Sequence, residues 1–182
     1  EEMSFFTVHD GKIFKNFDTA QDHKRVLEGD KGKNTGGMGA YSPSRLESEE
    51  LNKKILDKII NPTLNGLKEL KTKFVGFLYA GLMIIEGEPF LIEYNVRMGD
   101  PECQTILPTL TTDLFDILIS CCDGTLNKTK INFSKTKAIC IVLCSKGYPE
   151  KFDNNVKIKD LEQLKLHKNQ NIFHAGTLKK KK

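Results

Sequence analysis

Residues 73–104, "KFVGFLYAGLMIIEGEPFLIEYNVRMGDPECQ", decide how the chain folds. An apolar run from Phe74 to Ile85 is broken at Glu86-Gly87-Glu88-Pro89 and a second apolar run follows, so the stretch reads as a β-hairpin. Its return strand then departs from the usual pattern, because Glu93, Asn95, Arg97, Asp100 and Glu102 crowd together at its end. On an extended strand alternate residues share a face, with i and i+2 roughly 6.5–7 Å apart. Glu93, Asn95 and Arg97 are therefore expected to point one way, and Ile92, Tyr94 and Val96 the other. A carboxylate and an amide carbonyl at that spacing suit one or two hard cations, with phosphate oxygens and water completing the shell. Arg97 adds a planar fork of donors for a phosphate or acyl-phosphate oxygen. Taken alone, E-x-N-x-R serves equally well as a solvent-facing edge whose charges pair with one another. The following "GDPE" argues for a site: Gly99 and Pro101 fix a bend that sets Asp100 and Glu102 beside the same place. Two acids there can hold an ammonium or hydroxyls, or accept a proton from an attacking amine.

Upstream, "MSFFTVHDGKIFKNF" (residues 3–17) reads as two strands joined by a turn at Asp10-Gly11. Residues 22–43, "DHKRVLEGDKGKNTGGMGAYSP", form a loop too long for a simple turn. It is neither a Walker A sequence nor a dinucleotide fingerprint, since no G-K-[ST] follows and no strand leads into G-x-G-x-x-G. Its glycines let backbone N–H groups approach an anion, and Lys24, Arg25 and Lys33 add positive charge. An anion cradle and a mobile surface loop fit it equally.

A helix is expected from Ser48, its N-cap, with Glu49 and Glu50 in the first turn and Leu51, Ile55 and Ile59 at four-residue spacing. Pro62 must kink that helix or begin a second. A further helix fits "TDLFDILISCCDG" (residues 112–124), ended by Gly124. "KAICIVLCS" (residues 137–145) reads as a buried strand and "NIFHAGTL" (residues 171–178) as a short one. Strands and helices in this arrangement predict an α+β fold. A shift in composition near residue 135 divides the chain into 1–134 and 135–182.

Composition narrows the function classes. At 182 residues, 38% hydrophobic and 29% charged, this is an ordinary globular composition. No apolar stretch reaches the ~20 residues a membrane helix needs. The formal charge is +4, and Lys179–Lys182 supply all of the excess, so there is no basic footprint of a nucleic-acid binder. Five cysteines without a C-x-x-C pair read as buried free thiols in a reducing, cytoplasmic setting. The chain opens without an initiator Met, and a piece of a longer protein is expected.

Taken together, "AQDHKR", "GDKGKNTGGMGAYSP", "GFLYAGLM", "IEYNVRMGDPECQ", "SKGYPEKF" and "FHAGT" resemble the phosphoribosylamine–glycine ligases, also called glycinamide ribonucleotide synthetases, almost end to end. Met98 stands where that family usually carries Leu or Phe, an apolar exchange of similar volume. The resemblance implies the C-terminal part of an ATP-grasp domain over residues 1–134, followed by the start of a C-terminal domain. It implies an enzyme of purine biosynthesis that uses ATP to activate glycine as an acyl phosphate for attack by 5-phosphoribosylamine. Carried over by motif, Glu93 and Asn95 would hold Mg²⁺ or Mn²⁺. Tyr79-Ala80-Gly81 stands where other ATP-grasp enzymes often place another acid, so fewer protein ligands are expected. Lys24, with Arg25, Gly36 and Gly37 of the loop, would approach the nucleotide phosphates, and Glu2 would hold ribose hydroxyls. Arg97 would stabilise the acyl phosphate, while Asp100 and Glu102 would position glycine and phosphoribosylamine. With the preceding and following parts of such an enzyme lacking, the chain alone is expected to be inactive. A different ATP-grasp ligase or carboxylase, or a non-catalytic scaffold, are the competing readings. The "DHKR…NTGGMGAYSP" and "RMGDPECQ" wording stands against the first, and intact Lys24, Glu93, Asn95 and Arg97 against the second.

Overall fold

The computed structural model describes residues 1–179; residues 180–182 of the terminal lysine run lie outside them. The chain divides into two compact units, Glu1–Val142 and Leu143–Lys182.

The first unit is built on an antiparallel six-stranded sheet. Its strands are β1 (Glu2–Asp10), β2 (Phe14–Asp22), β5 (Gly39–Ser42), β6 (Val75–Ile85), β7 (Glu88–Asn95) and β8 (Ala138–Ile141), in the order β7-β6-β1-β2-β5-β8. Two short strands, β3 (Arg25–Leu27) and β4 (Lys31–Asn34), make a separate hairpin. The predicted loop over residues 22–43 is therefore largely ordered strand, tied at its base by His23 N–H to Gly39 O (2.8 Å) and Met38 N–H to His23 O (2.8 Å).

β1 is the central strand and is buried on both faces. Met3 and Phe5 point to one side, where they meet Leu51, Ile55, Ile59 and Ile60 of the helical segment. Phe6 and Val8 point to the other and meet Ile106, Ile117 and Cys121. Two helical layers thus sandwich the sheet, each covering one set of alternate side chains. The first layer runs through α1 (Glu49–Ile55), a π turn (Leu56–Ile60) and α2 (Asn61–Glu69). Ser48 caps it, accepting from Leu51 N–H at 3.1 Å. Pro62 directly follows the π turn, in the first turn of α2. The second layer holds α3 (Cys103–Ile106) and α4 (Leu114–Asp123), and α4 ends on the left-handed Gly124.

The hairpin expected over residues 73–95 is present as β6 and β7, turning at Glu86-Gly87 with positive φ at both residues. β7 also carries a bulge. Gly81 faces Glu93 and Leu82 faces Leu91, which leaves Ile92 as the extra residue. The bulge returns Leu91 to the face that Tyr94 shares while Glu93 and Asn95 keep the other face.

Several expectations need correction. Residues 138–141 form the strand expected there, but it is an edge strand, with Ile139 at 73% exposure and Ile141 at 71%. It pairs with β5, so residues 135–142 belong to the first unit. Of the five cysteines, all free, only Cys121 is buried. In the second unit a single 3₁₀ turn, Leu161–Gln163, is the only helical element among the described residues, and "NIFHAGTL" forms no strand.

His9 reports on the packing of β1. It is 2% exposed, lies between the rings of Phe14 and Phe74, and shares a 2.7 Å hydrogen bond with Thr7 Oγ1. Burial lowers its pKa to about 4, against the opposing influence of Asp10. The folded state therefore keeps His9 neutral, while the unfolded chain protonates it near the ordinary value of about 6.5. Its stability contribution is complete above about pH 6.5 and is lost as pH falls toward 4, on the order of 2–3 kcal/mol. Asp10, held low by the backbone N–H groups of Ile13, Lys12 and Leu126 despite its burial, adds a loss in the same direction below that window. Asp18 and Asp22 are raised, mainly by burial, and act oppositely. His9→Gln is expected to flatten the fall in thermal midpoint between pH 6.5 and 4.5, measured by circular dichroism. An unchanged slope would remove His9 as its source.

Candidate active site

One cavity of about 290 Å³ lies at the end of the sheet where β1 begins and β2 and β7 finish. Its lining includes Asp22, Lys24, Gly36, Tyr79, Glu93, Asn95, Arg97, Asp100 and Glu102. Residues that are far apart in sequence meet there because antiparallel pairing returns each strand to the same edge.

β7 supplies Glu93 and Asn95 on the face opposite Tyr94, whose hydroxyl lies 2.5 Å from Thr63 Oγ1 and 3.2 Å from Ile59 O in the helical layer. That anchoring orients the strand. Asn95 Nδ2 donates to Glu93 Oε1 at 3.1 Å, so the pair closes on itself. Gly81 sits across from Glu93 and Tyr79 across from Asn95, so the neighbouring strand adds no third acid. Among the described residues no group of three or more His, Cys, Asp or Glu could hold a metal ion. Glu93 and Asn95 still fit a hard cation as two oxygen donors, with phosphate oxygens and water for the rest.

Arg97 is exposed in the cavity, its Nη1 donating to Met98 O at 3.1 Å. In the bend that follows, the two acids have different settings. Asp100 is exposed and accepts from Gln104 Nε2 at 2.7 Å. Glu102 is 2% exposed and accepts from Ser4 Oγ at 3.0 Å, and Ser4 Oγ lies 3.0 Å from the Tyr79 hydroxyl. Burial and the neighbouring Glu102 push the Tyr79 hydroxyl far above its ordinary pKa, so it stays protonated. Glu102 is thus a buried acceptor on the cavity floor. Cys103 next to it is half-buried, its thiol pushed up by burial and by Asp100 and Glu102. These surroundings disfavour its thiolate.

Lys24 follows β2 and pairs with Glu2 at 3.2 Å. Its pKa is raised: burial opposes this, but Glu2, Asp22 and Glu93 outweigh it. The glycine-rich segment folds over the same end. Thr35 bonds Lys24 O through both N–H (2.8 Å) and Oγ1 (2.9 Å), and Gly37 N–H donates to Thr35 Oγ1 at 3.1 Å. Gly37 has φ +131°, and a Cβ there would come within 3.0 Å of Asp22 Oδ1 and closer still to Pro101 Cδ. Only glycine allows that contact.

The structure therefore gathers Lys24, Gly36, Glu93, Asn95, Arg97, Asp100 and Glu102, with Glu2 joined through Lys24 and Gly37 through Asp22. Arg25 is not among the lining residues; its Nη1 donates to Gly32 O (2.7 Å) within the β3–β4 hairpin. Sequence reasoning missed Asp22, Ser4 and Tyr79. Asp22 ends a strand beside Lys24, the same crowding of polar residues at a strand end that marked Glu93–Glu102. Ser4 and Tyr79 sit within apolar strands and carried no such signal.

Comparison with known proteins places the chain in a family. Residues 1–103 match the family described as phosphoribosylglycinamide synthetase, ATP-grasp (A) domain. A phosphoribosylamine–glycine ligase of Vigna unguiculata is 48% identical over 180 residues, covering 97% of this chain and 58% of that protein. The Agrobacterium fabrum ligase is 45% identical, over 97% of this chain and 41% of its own. The crystal structure of the Thermotoga maritima phosphoribosylamine–glycine ligase superposes with a TM-score of 0.75 at 33% identity, over 84% of this chain and 38% of that one. Urea carboxylase of Kluyveromyces lactis shares the fold at 15% identity and a TM-score of 0.56. The chain thus spans little more than half the length of the Vigna relative, and less of the others. With the antiparallel sheet, the strand-end cluster and the matched residues in agreement, the chain belongs to the phosphoribosylglycinamide synthetase ATP-grasp (A) domain family.

Proposed function

We propose that the parent protein joins glycine to 5-phosphoribosylamine at the expense of ATP, and that this chain carries the half of the site that holds the metal and handles the phosphoryl group. The observation that supports this most is the meeting of Glu93, Asn95, Arg97 and Lys24 in one cavity with the acids Asp100 and Glu102.

In this reading a glycine carboxylate oxygen attacks the γ-phosphorus of ATP and ADP leaves, giving glycyl phosphate. The amine of phosphoribosylamine then attacks the carbonyl carbon. Phosphate departs with the bonding pair, and the amine loses a proton. Lys24 neutralises nucleotide phosphate charge, with Glu2 fixing its ammonium and reaching toward ribose hydroxyls. Arg97 matches the charge spread over the transferring phosphoryl oxygens. Glu93 and Asn95 would hold Mg²⁺ or Mn²⁺, which would supply charge neutralisation at the phosphate oxygens. Asp100, in reach of solvent, and Glu102, on the floor, position the two substrates. The glycine-rich segment covers the site and limits water that would hydrolyse the acyl phosphate.

ADP release by the full-length protein, with glycine and phosphoribosylamine supplied singly and together and bicarbonate as a control, tests the reading. Release only with both amine and glycine supports it, and release driven by bicarbonate would transfer the chain to the carboxylases. Glu93→Gln keeps the shape and removes one charge from the cation site. It is expected to raise the Mg²⁺ concentration for half-maximal release about 10-fold or more. An unchanged metal requirement would remove Glu93 from the cation site. The five free cysteines support a reducing compartment, the cytoplasm, as the place of action. No helix among the described residues is long and apolar enough to cross a membrane.

A further inference from the structure

Asp22 is the oddest group in the cavity. It is 9% exposed, it lines the site, and its Oδ1 has no hydrogen-bond partner. A buried carboxylate oxygen without a donor costs about 1–3 kcal/mol, more when charged, and such groups persist where a ligand supplies the missing donor. Three donors at this end of the sheet bond other groups. Lys24 pairs with Glu2, Arg97 donates to Met98 O, and Ser4 donates to Glu102. Glu102 lies close enough to Asp22 to raise its pKa, second only to burial, while Lys24 works against the rise. Gly37 and Pro101 close over Asp22 from the glycine-rich segment and the bend, so the oxygen faces a walled pocket. The deep end of the cavity is thus two buried carboxylates, Asp22 and Glu102, with more acceptors than donors.

A ligand for such a place must be small, cationic and rich in N–H groups. Resting on the ligase reading above, we infer that Asp22, with Glu102 beside it, holds the α-ammonium of the amino-acid substrate and so selects an amino acid over other small carboxylic acids. Glycine's other end, the carboxylate, then faces the cation ligands and Arg97, where the phosphoryl group arrives. An ammonium supplies three donors, enough for Asp22 Oδ1 and Glu102 together. It also relieves the mutual repulsion of the two acids. Asp22 is a binding and specificity residue here, and the chemistry at the carboxylate proceeds without it.

The test uses the full-length enzyme and its Asp22→Asn variant, which preserves shape. KM for glycine is expected to rise about 10- to 100-fold, the range for losing a hydrogen bond to a charged group. KM for ATP and for phosphoribosylamine should stay within a few-fold. Competition by glycolate, which has a hydroxyl in place of the ammonium, gives a second readout: the preference for glycine over glycolate should shrink by the same factor. Asp22→Glu, which keeps the charge one methylene out of place, should lose less. If KM for glycine is unchanged and kcat falls instead, or if the glycolate preference persists, Asp22 does not bind the ammonium. Should the wild type release ADP without needing glycine, the ligase reading falls and this inference with it. A thermal midpoint for Asp22→Asn at or above wild type shows that any loss comes from binding and not from unfolding.

Discussion

Arg97→Ala in the full-length enzyme is expected to lower kcat for glycine- and phosphoribosylamine-dependent ADP release by about 10³-fold, with KM for ATP within a few-fold. The magnitude is that of a cationic donor whose interaction strengthens as phosphoryl charge develops. In the resting structure Arg97 spends one N–H on the carbonyl of Met98, the next residue, at 3.1 Å, and is exposed to the cavity. Among the described residues it joins neither core cluster and no ion pair, so its removal should leave the thermal midpoint within about a degree or two. Arg97→Lys restores charge without the planar fork and is expected to recover only a small part of the rate. Single-turnover measurement of acyl-phosphate formation separates the roles. A loss confined to that step supports phosphoryl stabilisation, whereas a loss confined to amide formation would place Arg97 on the amine. A kcat within 10-fold of wild type would strip Arg97 of a catalytic role.

How far the residues alone led depends on the kind of signal each position carries. The β6–β7 hairpin was legible because two apolar runs flank a turn sequence whose Glu86 and Gly87 adopt positive φ. The caps at Ser48 and Gly124 were legible because capping is local chemistry. The cluster from Glu93 to Glu102 stood out because charged groups at a strand end have no packing reason to be there. Three features were hidden because they depend on what lies across the sheet. The bulge at Ile92 follows from pairing with β6, and period-two reading of β7 passes over it. β8 reads as buried because it is apolar, yet it sits on the sheet's edge with Ile139 and Ile141 outward. Ser4 and Tyr79 became site residues only when β1 and β6 paired and turned the same face toward Glu102. The glycine-rich segment shows the limit from the other side: glycine content suggested mobility, while Gly37's use is a close contact with Asp22 and Pro101.

Gly99→Ala is expected to cost about 1–3 kcal/mol of stability and to lower kcat/KM for glycine by about 10²-fold or more. The cause is steric, because Gly99 is buried and has no positive φ that would require glycine. A Cβ there would lie 2.7 Å from Glu102 Oε1 and closer still to Cδ and Oε2. The obstructing group is the end of a side chain, which on a surface would swing aside cheaply. Here it is 2% exposed and held by Ser4, itself beside the Tyr79 hydroxyl, so displacement breaks a buried network and moves the floor of the cavity. Glu102→Asp, shorter by one methylene, makes room for the added methyl. The double variant Gly99→Ala/Glu102→Asp should therefore regain most of the thermal midpoint lost in Gly99→Ala, a coupling beyond the sum of the single changes. It should not regain glycine use, because the shortened carboxylate no longer reaches the place it held beside Asp22. Additive midpoints would mean that Gly99 is needed for the bend itself and not for Glu102. Recovery of both stability and activity would mean that the position of the Glu102 carboxylate is immaterial to the substrate.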